Sequence, residues 1–181
     1  MKKLITLLFI VIFLAGCTNS YEDSDCSSLD APFSYIESDD FILRLFVDNN
    51  TYQTGEVITV WAELEYIGEN ESITIYHSEP YLVFQIVGDN GFEMLPYRVD
   101  VLESSILVRD ETYHFDFQKS GEWSLDDEDA EFWENFFDEP NLILPPGEYT
   151  ITVVAAFSLS SEDVIGSQLV LLTEISVTVQ E

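Results

Sequence analysis

The chain has 181 residues, of which 35 are acidic and only six are lysine or arginine, for a formal net charge of −29 at pH 7. That length leaves room for one sizeable domain and a tether. Such a charge repels nucleic acid and anionic lipid, which excludes a nucleic-acid-binding role, and instead suits basic proteins, cationic peptides or divalent cations.

In chain order, Lys2 and Lys3 form a short basic start, and Leu4 to Ala15 is an almost unbroken apolar run of 12 residues. A membrane-spanning helix needs roughly 20 apolar residues, so this run reads as a secretory signal rather than a permanent span. Small residues then lead into Leu14-Ala15-Gly16-Cys17, which resembles a bacterial lipobox. The resemblance implies cleavage after residue 16 and attachment of a diacylglyceryl group to the Cys17 sulfur. Two acyl chains, at about 0.8 kcal/mol per buried methylene, make a stable anchor. The expected location is therefore the cell membrane, lipid-anchored on its extracytoplasmic face. Loss of residues 1–16 takes Lys2 and Lys3 with it, leaving Arg44, Arg98, Arg109 and Lys119 against 35 acidic residues, a charge of −31. With Cys17 lipidated only Cys26 remains, so the domain must be held by its core and not by an internal disulfide.

Residues 17–40 are polar and acidic with no lysine or arginine, and read as the lipidated N-terminus followed by a disordered, self-repelling spacer. From Phe41 the pattern changes to period 2, and residues 41–181 read as one β-sandwich domain. Phe41 to Val47 is the first expected strand. Glu56 to Ile67 is the clearest, with Ile58, Val60, Ala62, Leu64 and Tyr66 on one face. Ser72 to Tyr76 and Tyr81 to Val87 follow. Asn90-Gly91 predicts a type I′ hairpin turn, and Phe92 to Val101 is a return strand weakened by Pro96. Glu111 to Phe117 alternates again. Tyr149 to Phe157 and Leu169 to Gln180 form the strongest two-strand unit, introduced by Pro145-Pro146-Gly147. Eight or nine short strands without βαβ alternation predict an all-β, immunoglobulin-like antiparallel two-sheet sandwich.

One segment breaks the alternation. Between about residues 121 and 139 lies an acidic, aromatic insertion whose periodicity predicts a short amphipathic helix from about Leu125 to Asp138, with Ser124 as N-cap and Asp127 three residues on. Its aromatic side must be covered, either by the sandwich, with Trp61 as one candidate surface, or by a partner. In the second case Trp123, Trp133, Phe136 and Phe137 are the partner-binding residues, tryptophan being enriched among interface anchors.

The stretch Tyr52-Gln53-Thr54-Gly55-Glu56, the strand after it, the Asn90-Gly91 turn and Pro146-Gly147-Glu148-Tyr149-Thr150 resemble the immunoglobulin-like intracellular proteinase inhibitor domains of the BsuPI type, and lipoproteins that carry them. The resemblance spans about Phe41 to Gln180 and implies the sandwich fold and, as an alternative function, proteinase inhibition at the cell surface. Two features depart from it: the export signal and the aromatic insertion.

His77 and His114 are the two histidines, and His114 alternates outward beside Asp116. Neither a Gly-x-Ser-x-Gly elbow nor a His-Glu-x-x-His run is present, so no catalytic residues are assigned and the domain is read as non-enzymatic. No cofactor or metal site is assigned either. Calcium takes six to eight oxygen ligands and is the small partner that this carboxylate-rich chain best suits, although the run from Asp126 to Glu131 lacks the glycine of an EF-hand loop. The expected function is that of a membrane-anchored extracytoplasmic lipoprotein whose domain binds a protein or envelope component without catalysis.

Overall fold

The computed structural model describes residues 31–38, 40–124, 126 and 129–181. The lipobox with Cys17, the signal segment and Cys26 lie outside the described residues, as do Leu125, Asp127 and Glu128 of the insertion.

The elements, in chain order, are β1 (Phe33–Ser38), β2 (Phe41–Val47), β3 (Thr51–Gln53), β4 (Val60–Tyr66), β5 (Ser72–Glu79), β6 (Leu82–Gly88), β7 (Glu93–Met94), β8 (Val99–Val108), β9 (Thr112–Asp116), α1 (Ala130–Asp138), β10 (Gly147–Ser158) and β11 (Gln168–Gln180). They build an all-β two-sheet sandwich with one short helix. The first sheet has the order β1-β2-β4-β9. The second runs β3-β11-β10; β5 and β6 then lie end to end along the other side of β10, with β8 beyond β5 and β7 beyond β6. These strands pair antiparallel except for β3, which runs parallel to β11.

Alternation explains the core. Phe41, Leu43, Leu45 and Val47 of β2 and Val60, Ala62, Leu64 and Tyr66 of β4 turn to one face of their sheet and are buried. From the second sheet, Ile151, Val153, Ala155 and Phe157 of β10 and Val177 and Val179 of β11 are buried in the same cluster. Phe41 and Phe157 meet edge to face, ring centroids 5.0 Å apart. Each of the valine, leucine, isoleucine and phenylalanine side chains among them contributes about 1.5–3 kcal/mol through burial.

The sandwich begins earlier than the alternation from Phe41 suggests. Residues 33–38, read from composition as spacer, form an edge strand paired with β2 from Phe33 opposite Phe46 to Ser38 opposite Phe41. Two contacts outside the ladder hold it: the Val47 amide donates to the Pro32 carbonyl at 3.1 Å, and the Ser34 and Thr173 hydroxyls meet at 2.7 Å. The ladder also brings Phe33, Phe46 and Trp61 into one row on the outer face. Phe33 stacks on Phe46 at 5.6 Å, and Phe46 on Trp61 at 5.1 Å with rings 3° from parallel. Trp61 is therefore covered by its strand neighbour and not by the helix.

Two local expectations are corrected. The turn at Asn90-Gly91 is not type I′: Gly91 has a φ of +87°, but Asp110 is the single non-glycine residue with positive φ among the described residues. Instead the Gly91 amide donates to Gly88 and the Gly88 amide to Phe92, the pattern of a longer loop closed by a left-handed glycine. Asn90 has other work. Its Oδ1 accepts from the Phe92 amide, while its Nδ2 donates to the Tyr149 hydroxyl at 2.7 Å and to the Pro146 carbonyl. Gly147 closes this knot, because a Cβ there would lie 2.9 Å from Asn90 Nδ2. Phe92 to Val101, expected as a single return strand, is not one strand. It breaks into β7 and the start of β8, and the break shapes the candidate site.

Candidate binding groove

Ile86 stands opposite Met94 and Val87 opposite Glu93 in the β6–β7 ladder. Continued by two residues, that register would set Phe84 against Pro96, which has no amide proton to donate. Pairing stops there and residues 95–98 swing away, so no strand pairs with the outer edge of β6 at Leu82 and Phe84. On the other side of the gap run β9 and residues 118–121. Between them lies a groove of about 650 Å³, lined by Pro80, Leu82, Phe84, Tyr97, His114 and Ser120 among others.

The rim opposite Tyr97 is fixed by the junction of β5 and β6, where a bulge follows His77 and the Glu79–Pro80 peptide is cis. His77 is buried. Its Nδ1 lies 2.9 Å from the Ser78 carbonyl, which can only accept, so Nδ1 is the donor there, and Nε2 meets the Ser105 hydroxyl at 2.9 Å. Its ring packs 4.5 Å from that of Tyr81, which also meets Phe115 and Phe157 edge on. Burial, with smaller contributions from Tyr113 and Glu79, leaves the Tyr81 hydroxyl pushed up to about 12. His77 thus braces the rim from inside. His114, by contrast, faces solvent, its Nε2 3.1 Å from the exposed Asp116 carboxylate. The two histidines belong to different environments.

Buried polar atoms in folded proteins almost always have partners. Among the described residues two buried side-chain atoms have none, Arg98 Nε and Ser120 Oγ, and both belong to this side of the sandwich. Ser120 lines the groove, and Arg98 follows Tyr97 and reaches across to the Val154 carbonyl, Nη2 to O 3.3 Å. Burial lowers the Arg98 guanidinium below its usual range.

Helix α1 borders the groove at Gly121. It starts at Ala130, not near Leu125, and its N-cap residue is Asp129, whose side chain makes no capping bond; Ser124 lies upstream, with its Oγ accepting from the Asp126 amide. The aromatic stripe packs on Phe92, not on Trp61: Phe92 lies 5.2 Å from Trp133, 5.3 Å from Phe136 and 5.8 Å from Tyr149. Phe136, expected at a partner surface, is buried, only 6% exposed, and so belongs to the core. Trp133 and Phe137 are half-buried against that core and wall a small depression of about 100 Å³ that meets the groove at Gly121. Trp123 is half-buried in the connection that leads to the helix. Phe132, which is not among the four expected anchors, is the more exposed ring, at 40%. Of the four expected anchors, the structure leaves Trp133 and Phe137 beside a concave surface.

No known family model matches the chain, and no curated protein matches it.

Lys119 ties the helix to the groove. Its Nζ donates to the Phe136 and Glu139 carbonyls at the helix C-terminus and sits 4.2 Å above the Phe136 ring. The last turn has no basic residue of its own, so this lysine supplies the positive charge that a helix C-terminus favours. Burial outweighs the nearby Glu139 and lowers the Lys119 amine below its usual range. Among the described residues no group of three or more His, Cys, Asp or Glu side chains is placed to hold a metal ion.

Proposed function

We propose that this protein is a lipoprotein anchored through Cys17 to the extracytoplasmic face of the cell membrane, and that its domain is a non-catalytic binding module. The observation that carries the binding reading is the groove beside β6: an unpaired strand edge with a buried, unpartnered Ser120 hydroxyl in its wall. Those groups suit an extended peptide segment of an envelope protein. Its backbone would add to the edge at Leu82 and Phe84, its side chains would pack on Tyr97 and Pro80, and a polar group would reach Ser120. The strongly acidic surface favours basic segments. No helix among the described residues is long and apolar enough to cross a membrane, so the anchor rests on the lipobox.

The test is photo-crosslinking in intact cells from position 97, compared with position 170 on the exposed outer face of β11. A discrete adduct from position 97 alone, retained in the membrane fraction and shifted to the soluble fraction by Cys17→Ser, is the expected result. Equal adducts from both positions, or none, would remove the groove. Unchanged fractionation of Cys17→Ser would remove the anchor.

A further inference from the structure

We infer that β8 is a self-pairing edge, through which two copies of this chain join their second sheets. The strand ends its sheet and has β5 on one side only. Edge strands that stay single are commonly protected by charged residues, lysine above all, by proline or by bulges. Val99–Val108, with the sequence VDVLESSILV, has no lysine or proline; its charged residues are Asp100 and Glu103 and its ladder with β5 shifts register between Glu103 and Val99, which leaves Ser104 to Val108 as the unguarded part. Its exposed apolar side chains include Leu102 at 60%, Ile106 at 64% and Val108 at 43%.

Hydrogen bonding shows which residues aim their backbone groups at the free side. The Arg109 amide donates to Glu71, toward β5. The Val108 amide points the other way, to the Tyr113 hydroxyl at 2.8 Å. From Glu103 to Val108, where the ladder with β5 keeps one register, even-numbered residues therefore face outward, with Leu102 the first residue past the last regular pair, and an antiparallel partner must pair even residues with even ones. One two-fold register matches the side chains. With Ser104 on the axis opposite Ser104 of the second copy, Leu102 stands opposite Ile106 of that copy and Ile106 opposite its Leu102. Glu103 falls opposite Ser105, so no like charges meet. Neighbouring registers do less well: centring on Glu103 sets two glutamates against each other, and centring on Ser105 separates Leu102 from Ile106. Tyr113, bonded to Val108, stops the ladder at that end and confines it to the middle of the strand. The second copy is the favoured occupant because the same residues supply both halves of each apolar pair.

Net charge opposes this association and salt screens it, so the dimer fraction rises with ionic strength. The decisive experiment uses the full-length chain in detergent with Cys17→Ser and Cys26→Ser, which removes both native cysteines. Ser104→Cys then places two thiols on the axis, at the Cα separation of about 5.5 Å of a hydrogen-bonded antiparallel pair, within disulfide reach. Mild oxidation is expected to give a covalent dimer, and Thr74→Cys, exposed on the neighbouring strand, is the control. Adding Ile106→Lys to Ser104→Cys should cut the yield at least about tenfold, since each lysine would face Leu102 across the ladder. Both sites are exposed, and unchanged circular dichroism verifies folding. Cross-linking no greater than that of the Thr74→Cys control would overturn the proposal, as would a yield indifferent to Ile106→Lys.

Discussion

At the scale of single residues, alkaline stability draws on Tyr52, raised furthest by burial and by its bond to Asp48, and on Tyr81. An unfolded tyrosine ionises near pH 10, whereas burial holds the Tyr81 hydroxyl protonated in the fold up to about 12. Below pH 10 both states keep the proton and the stabilisation is fully present. As pH rises from about 10 toward 12 the unfolded state releases it first, and stability falls. Tyr52 and Tyr149, both raised chiefly by burial, act in the same direction. Tyr81→Phe keeps the ring against His77, Phe115 and Phe157 and removes the ionisation. It is expected to lose less stability between pH 9 and 11.5 than the parent, by on the order of 1 kcal/mol after discounting for partial exposure. Urea unfolding at the two pH values measures this, and equal losses would show that Tyr81 is not among the groups responsible. None of this was legible in the sequence: Tyr81 opens an expected strand, but its neighbours His77, Phe115 and Phe157 come from three other elements.

At the scale of elements, α1 depends on what lies outside it. Nine residues are too few for an isolated helix to be stable, and its first turn lacks a side-chain cap. Two things compensate, the packing of its aromatic side on Phe92 and the Lys119 amine at its C-terminal carbonyls. Lys119→Ala is expected to cost about 1–2 kcal/mol, since charge-assisted bonds are lost but a buried charge is also relieved. Red-shifted emission from Trp133 should accompany the loss. A variant with parental stability and emission would show that aromatic packing alone suffices. The stripe of Ala130, Trp133 and Phe137 made the helix legible. Its start was not, because Ser124 and the acidic run imitate a capping box, and its docking surface was not, because Phe92 is distant in sequence. The strands divide in the same way. β2, β4, β10 and β11 alternate cleanly, whereas β1 follows a polar stretch and β8 shows apolar residues on both faces.

For the whole molecule, the all-β sandwich could be read from alternation alone, because the core strands are long and the turns well marked. The groove could not. It results from Pro96 falling at a ladder position, which requires the register of β6 on β7. The net charge of −29 sets a global property: self-repulsion weakens the compact state at low salt. Raising NaCl from 10 to 300 mM shortens the Debye length from about 30 Å to less than 8 Å. The melting temperature is expected to rise by about 2–4 °C, equivalent to about 1 kcal/mol in a domain of this size. Calorimetry at the two concentrations checks this, and a flat response would mean that local ion pairing already balances the field. The attachment of β1 has a mechanical consequence. Tension in the chain before Pro32 enters the domain through a six-residue edge strand. Pulled along the strand axis, β1 is loaded in shear, and its ladder, its ring stack on Phe46 and the Ser34–Thr173 bond resist together. Pulled sideways, it unzips one pair at a time from Phe33. The direction of the load thus sets the force at which the outermost strand peels away, uncovering the ring stacked on Trp61.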